Sequence, residues 1–173
     1  MIDPLFPFLS MHFIQPSSPT MTQRIRVAGL IRRDDQLLLV QQQNRHGIPT
    51  WSLPGGRLES TDPNIFRGAE REVWEETGLR VEAGQLRFVS EYLAPDLMAL
   101  TLIIECSLLA DEHPDNIHLD NIQEDDNIHD VAWWPISHIP VSEEPMSHTL
   151  LNPEFRQSLE SGDWKVYLGR HQD

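Results

Sequence analysis

The sequence predicts an α/β (α+β) sandwich, a mixed β-sheet held between helices. Two observations carry this. Runs rich in branched apolar residues recur between turn signals, as strands do, and two Asp/Asn-Pro pairs each open a stretch with helical patterning. At 173 residues with 39% hydrophobic content, the chain suits one domain with a core of its own.

Residues 1–20 are expected to be a tail and linker, with a single domain over 21–173. The opening MIDPLFPFLSMHFI is apolar but has no basic start and two internal prolines, which argues against a signal peptide. QPSSPT then reads as a linker, and Met21 offers a second plausible start. IRVAGLIRR and QLLLVQQQ flank Asp34-Asp35 and predict a β-hairpin. NRHGIPTW is a loop. WSLPGGRLE places Pro54, Gly55 and Gly56 in a turn between two short extended pieces.

Asp62-Pro63 then reads as N-cap and first helical position, for a helix running from about Pro63 to Thr77 and ended by Gly78. LRVEA, QLRFVSEYL and MALTLIIECSLLA predict strands, residues 111–128 a long loop, and HDVAWWPI another strand. Asn152-Pro153 repeats the cap signal, and EFRQSLES predicts a C-terminal helix.

Composition excludes several functions. The formal charge is −14, and residues 111–130 hold eight carboxylates without a Lys or Arg. So acidic a surface is no partner for a nucleic acid polymer. No run of 18 apolar residues occurs, so no membrane span is expected. Cys106 is the single cysteine and lies in an apolar run, which predicts a buried, inert thiol and, weakly, a cytoplasmic location.

The chemistry concentrates in REVWEETG, residues 71–78, where Glu72, Glu75 and Glu76 crowd one helix. With Glu72 at zero on a wheel of about 100° per residue, Glu76 falls at about +40° and Glu75 at about −60°. Arg71 borders that face. Phe66, Ala69, Val73 and Thr77 form a separate stripe for the core. Like charges at this spacing cost an isolated helix roughly 0.2–0.5 kcal/mol per pair. A hard divalent cation such as Mg²⁺ or Mn²⁺ would reverse that sign. A solvated acidic face is the bland alternative.

The stretch WSLPGGRLESTDPNIFRGAEREVWEETGL resembles the Nudix hydrolase (MutT-like) signature, and its second half, Arg71, Glu72, Val73, Glu75, Glu76, Gly78 and Leu79, matches the family pattern in full. The first half departs from it. Asp62 stands where the family has Glu, and eight residues rather than seven separate it from Arg71. In the family that acid pairs with the motif arginine. Here the following proline favours the cap, and Glu59 is an alternative partner for Arg71.

The resemblance implies a Nudix-like fold and hydrolysis of a pyrophosphate bond in a nucleoside diphosphate linked to another moiety. Glu72, Glu75 and Glu76 would bind Mg²⁺ or Mn²⁺ with a backbone carbonyl near Gly55 or Gly56, and Arg71 would orient a glutamate. Dimerisation, common in the family, enters as an expectation on the same ground. A non-catalytic nucleotide-sensing domain is the rival.

Glu124, Asp125 and Asp126 are candidate general bases from the acidic loop, and Asn127 stands where a glutamate is common. Glu105 faces either the cleft or the outer side of its strand. Arg45 and Arg57 are candidate phosphate contacts. Trp51, Trp133 and Trp134 read as core or cleft packing, with base stacking the alternative. His113, His118 and His129 read as scattered loop residues. Pro95, sixteen residues past Leu79, stands where the family associates a proline with ADP-ribose hydrolysis; a (deoxy)nucleoside triphosphate stays open.

Overall fold

In the computed structural model, residues 21–117 and 128–172 are described. The expected tail, residues 1–20, lies outside them, as do Glu124, Asp125, Asp126, Asn127 and His118. The strands are β1 (Thr22–Arg33), β2 (Gln36–Gln43), β3 (Pro49–Ser52), β4 (Gly55–Arg57), β5 (Val81–Ala94), β6 (Leu97–Leu108), β7 (Ile128–Pro135) and β8 (Tyr167–Gln172). The helices are α1 (Ile65–Thr77), α2 (His148–Leu151) and α3 (Pro153–Ser161), with a 3-10 turn over Ile136–Val141.

The eight strands form one mixed sheet with the path β3-β2-β1-β6-β5-β8, while β4 pairs with β1 and β7 with β2. The expected hairpin is present: Asp34 takes the left-handed conformation (φ 54°) in its turn. Its arms soon part. β1 pairs with β2 only at Arg32 and Arg33, then takes β4 as its antiparallel neighbour at Arg26, Val27 and Ala28. On its other side β1 runs parallel to β6 from Thr22 to Ile31. The turn between β3 and β4 therefore carries the chain from β2 over to β1.

Period-two alternation divides the core between two faces. Leu37 and Leu39 pack with Phe88, Ile103, Leu150, Phe155 and Leu159 on the side of α2 and α3. Leu38 and Val40 pack with Val27, Ile31, Ala69, Val73 and Ile104 on the side of α1. All four β2 residues are fully buried, as in a strand covered on both faces. Gly29 allows α1 its close approach, since a Cβ there would lie 2.4 Å from Val73 Cγ2.

Six expectations need correction. Pro49 and Thr50, expected in a loop, begin β3, and Gly55 and Gly56, expected in a turn, open β4. The cap of α1 is Asn64, not Asp62; its side chain accepts from the N–H groups of Phe66 and Arg67, and Pro63 precedes the helix. Asp62 is held elsewhere, by Arg71. LRVEA and QLRFVSEYL form one strand, β5, whose break in pattern is a register irregularity from Ala83 to Phe88. Phe66 is exposed rather than part of the buried stripe, whereas Ala69, Val73 and Thr77 are fully buried. Finally, β8 went unexpected; its segment is short, mostly exposed, and broken by Gly169 at φ 93°. It joins β5 in parallel and buries Leu168.

Candidate active site

Two of the three ridge acids are buried, and Glu75 is half-buried. Glu72 and Glu76 are only 8% and 4% exposed. Helix α1 presses this side against the start of β4, where two glycines make that approach possible. A Cβ on Gly55 would lie 2.3 Å from the Val27 carbonyl oxygen, so β4 can sit on β1 only with glycine at this position. A Cβ on Gly56 would lie 2.3 Å from Glu72 Oε2, so the Glu72 carboxylate occupies the space a side chain would fill.

Gly55 holds Glu76, and Arg71 holds the other acids. The Gly55 N–H donates to Glu76 Oε2 at 2.7 Å. Arg71 Nη1 donates to Glu75 Oε2 at 2.7 Å, and Arg71 Nη2 lies 3.0 Å from Glu72 Oε1. Arg71 also makes a two-pronged pair with Asp62, Nε to Oδ1 and Nη2 to Oδ2, each at 2.9 Å, and donates to the Arg57 carbonyl at 3.1 Å. Glu59 is not the partner of Arg71; its N–H donates to Asp62 Oδ2 at 2.9 Å. The longer loop thus supplies the acid that the arginine needs. Gly78 ends the helix at φ 74° with its N–H bonded to the Trp74 carbonyl.

Electrostatics follow from burial. Desolvation pushes the Glu72 carboxyl up to about 7, with Arg71 opposing the rise, Glu75 adding to it and Arg26 opposing it. The Arg71 guanidinium holds Asp62 below the usual carboxylate range, and Asp62 in turn raises Arg71. The acids outnumber the cations that meet them, which leaves the ridge short of positive charge.

Among the described residues, no three His, Cys, Asp or Glu side chains converge as they stand on a metal position. The donor set nevertheless fits a hard divalent cation. Its three carboxylates are oxygen ligands on one helix, and Glu72 is kept against a bare glycine where a Cβ would displace it.

Other candidates fall outside this cluster. Glu105 pairs with Arg87, whose Nε donates to it at 2.7 Å. Arg45 donates to the Tyr92 hydroxyl at 3.0 Å and reaches Asp96 at 3.4 Å, beside the Pro95–Asp96 turn joining β5 to β6. Arg57 is exposed. Trp51 is buried and tilted against Trp134 at 5.1 Å between centroids, and Trp133 donates to the Pro114 carbonyl. His113 sits 3.7 Å from Asp115. Cys106 is buried, and burial pushes its thiol up to about 12.

One residue at the site escaped the sequence reading. Arg26, on β1, donates from Nη2 to the Gly55 carbonyl at 2.8 Å. Its only sequence signal is a charge at the edge of the buried run VAGLI.

The NUDIX domain family model matches residues 22–155. The chain belongs to the Nudix family. Its Nudix relatives include a MutT-like protein of Streptomyces ambofaciens, 43% identical over 76 residues, 44% of this chain and 47% of the relative. Phosphatase NudJ of Escherichia coli K12 is 31% identical over 72 residues, 42% of this chain and 46% of that protein. The chain thus spans about half the length of the curated relatives it matches.

Solved Nudix structures share the fold. A NUDIX hydrolase from Nitrosomonas europaea superposes with a TM-score of 0.67 at 20% identity, covering 84% of this chain and 93% of that one. An ADP-ribose pyrophosphatase from Streptococcus suis gives 0.53 at 23% identity, covering 88% and 100%. Likeness at this identity speaks to the Nudix fold alone, a mixed sheet between helices.

Proposed function

We propose that this protein is a metal-dependent pyrophosphohydrolase that cuts a nucleoside diphosphate linked to another moiety, with residues 21–173 as its single domain. The observation that carries the reading is the seating of Glu72 and Glu76, two buried carboxylates, against Gly55 and Gly56 at the start of β4. Burying acids beside each other destabilises a fold unless a bound cation offsets the cost.

Glu72, Glu75 and Glu76 would hold the Mg²⁺ or Mn²⁺. Bound there, the ion would neutralise phosphate charge and lower the pKa of a coordinated water. The chain's own residues position the rest. Gly55 fixes Glu76 through its N–H, and Arg71 holds Glu75 and Glu72 while Asp62 holds Arg71. Phosphoryl chemistry needs little covalent work from protein, so such positioning supplies most of the catalysis.

For substrate, an ADP-ribose-like compound leads and a (deoxy)nucleoside triphosphate follows. Arg45, bound beside the Pro95–Asp96 turn, and exposed Arg57 are the proposed phosphate contacts. Family likeness also supports a homodimer, which light scattering on the purified protein tests. No helix among the described residues is long and apolar enough to cross a membrane, and we place the protein in the cytoplasm.

The test is a nucleotide panel incubated with Mg²⁺ or Mn²⁺, with release of monophosphate or phosphate followed. Turnover of at least one diphosphate-linked nucleotide, abolished by EDTA and restored by metal, is the expected result. Tight nucleotide binding without turnover would instead support a sensor domain.

A further inference from the structure

Arg26 and Arg57 stand directly opposite each other across the β1–β4 pair. Like charges in that relation destabilise a sheet. The structure relieves the conflict in a specific way. Arg26 turns its guanidinium to the first residue of β4 and donates to the Gly55 carbonyl at 2.8 Å, while the Gly55 N–H donates to Glu76 at 2.7 Å. Gly55 is thus held at both polar atoms, one by a cation from β1 and the other by an acid from α1. The next residue, Gly56, abuts Glu72.

We propose that Arg26 is a positioning residue of the active site, anchoring the Gly55 carbonyl so that the two glycines opening β4 keep Glu76 and Glu72 in register with the ridge. Three elements meet through this one peptide. β1 supplies the anchor, the start of β4 supplies the peptide, and α1 supplies the acids. Glycines at 55 and 56 leave the start of β4 without side chains of its own to hold it, so its rigidity must come from partners. Backbone pairing of β1 with β4 provides part of that, but it ends at the Gly55–Ala28 pair. A further bond, from the Gly29 N–H to the Pro54 carbonyl at 2.8 Å, lies just beyond it. Between them, Arg26 is the charged group that fixes which way the Gly55 carbonyl points.

This inference rests on the pyrophosphohydrolase reading for its kinetic arm only. The experiment compares Arg26→Met and Arg26→Lys with the parent protein in two measurements. The first is the amide ¹H–¹⁵N signal and hydrogen-exchange protection of Gly55 and Gly56 in metal-free protein. The second is kcat and KM on whichever nucleotide the parent turns over.

Arg26→Met should shift the Gly55 and Gly56 signals and speed their exchange, with folding otherwise retained. It should lower kcat by about tenfold to a hundredfold, the rate equivalent of one charge-assisted hydrogen bond, with KM changed less than about twofold. Arg26→Lys, which keeps a donor, should recover part of both. Unchanged glycine signals in Arg26→Met would overturn the proposal, as would a raised KM at constant kcat, which marks a substrate contact instead. If Arg26→Met does not fold, Arg26→Gln, which removes the charge and shortens the side chain, decides: glycine signals and kcat identical to the parent's would sink the idea. A parent protein with no turnover on any nucleotide would refute the enzymatic reading, while the glycine signals would still decide the anchoring.

Discussion

Asp62 and Arg71 face each other through two N–H···O bonds of 2.9 Å, a fork-to-fork pair closed across the longer loop. An aspartate is shorter by a methylene than the glutamate of the family pattern, and the loop is one residue longer. The two departures leave the acid within reach of the guanidinium. Asp62 also accepts from the Glu59 N–H, so the same carboxylate staples the loop to itself.

Asp62→Asn should therefore weaken both loop and ridge. The pair is charge-assisted and sheltered, so a loss of about 1–2 kcal/mol is expected at neutral pH. The Asp62 carboxyl is held below its ordinary value, so its contribution exists above the unfolded pKa of about 3.9 and disappears as pH falls through the lower folded value. Urea midpoints of parent and variant should thus differ at pH 7 and converge as the pH is taken well below 4.

Glu72 behaves in the opposite sense. Its folded pKa, about 7, lies above the unfolded value of about 4.3. Its share of stability is fully present below about 4.3 and is lost as pH rises through about 7. In metal-free protein, Glu72→Gln should be more stable than the parent at pH 8. Adding Mg²⁺ or Mn²⁺ should raise the thermal midpoint of the parent more than that of the variant. A variant less stable at pH 8 would show that the carboxylate is not under strain there.

The two glycines separate fold from chemistry. Gly55→Ala sets a Cβ against the backbone of Val27 and Ala28, neither of which can retreat, and should reduce soluble yield and thermal midpoint sharply. Gly56→Ala meets only the end of the Glu72 side chain, which can swing away. That variant should fold near normally but lose metal affinity, read by Mn²⁺ titration with electron paramagnetic resonance.

Glu76→Gln keeps an acceptor for the Gly55 N–H while removing a charge. The fold should survive, with circular dichroism and thermal midpoint close to the parent. Turnover should fall by at least roughly a hundredfold, as losses of preorganised charge do. Unchanged turnover would move the catalytic acid elsewhere on the chain.

The glutamate ridge and the helix stop at Gly78 were legible in the residues because each is a local pattern, whereas Gly55 and Gly56 read as a turn and in fact open β4. Helical spacing puts the acids on one face, and a glycine just past the last turn is a conformational need. The hairpin at Asp34 and the Asn152 cap were legible for the same reason, and so was the burial of Cys106 from its run of apolar neighbours. The cap of α1 is not legible in the residues, because Asp62 and Asn64 are both good caps by type. Only the spatial nearness of Arg71 decides which is free to serve.

By itself, then, the sequence determined the sandwich of sheet and helices, through strand runs and cap signals along the chain, and the face on which three acids gather, through spacing within one segment whose motif resembles the family's. Tertiary structure alone decided that Glu72 and Glu76 are buried, that Asp62 rather than Glu59 answers Arg71, and that Arg26 reaches the Gly55 carbonyl from a strand 29 residues away. It also added β8 to the sheet edge. These are contacts between segments whose order in the chain says nothing of their distance, and they form only when the core of β1, β2 and α1 closes.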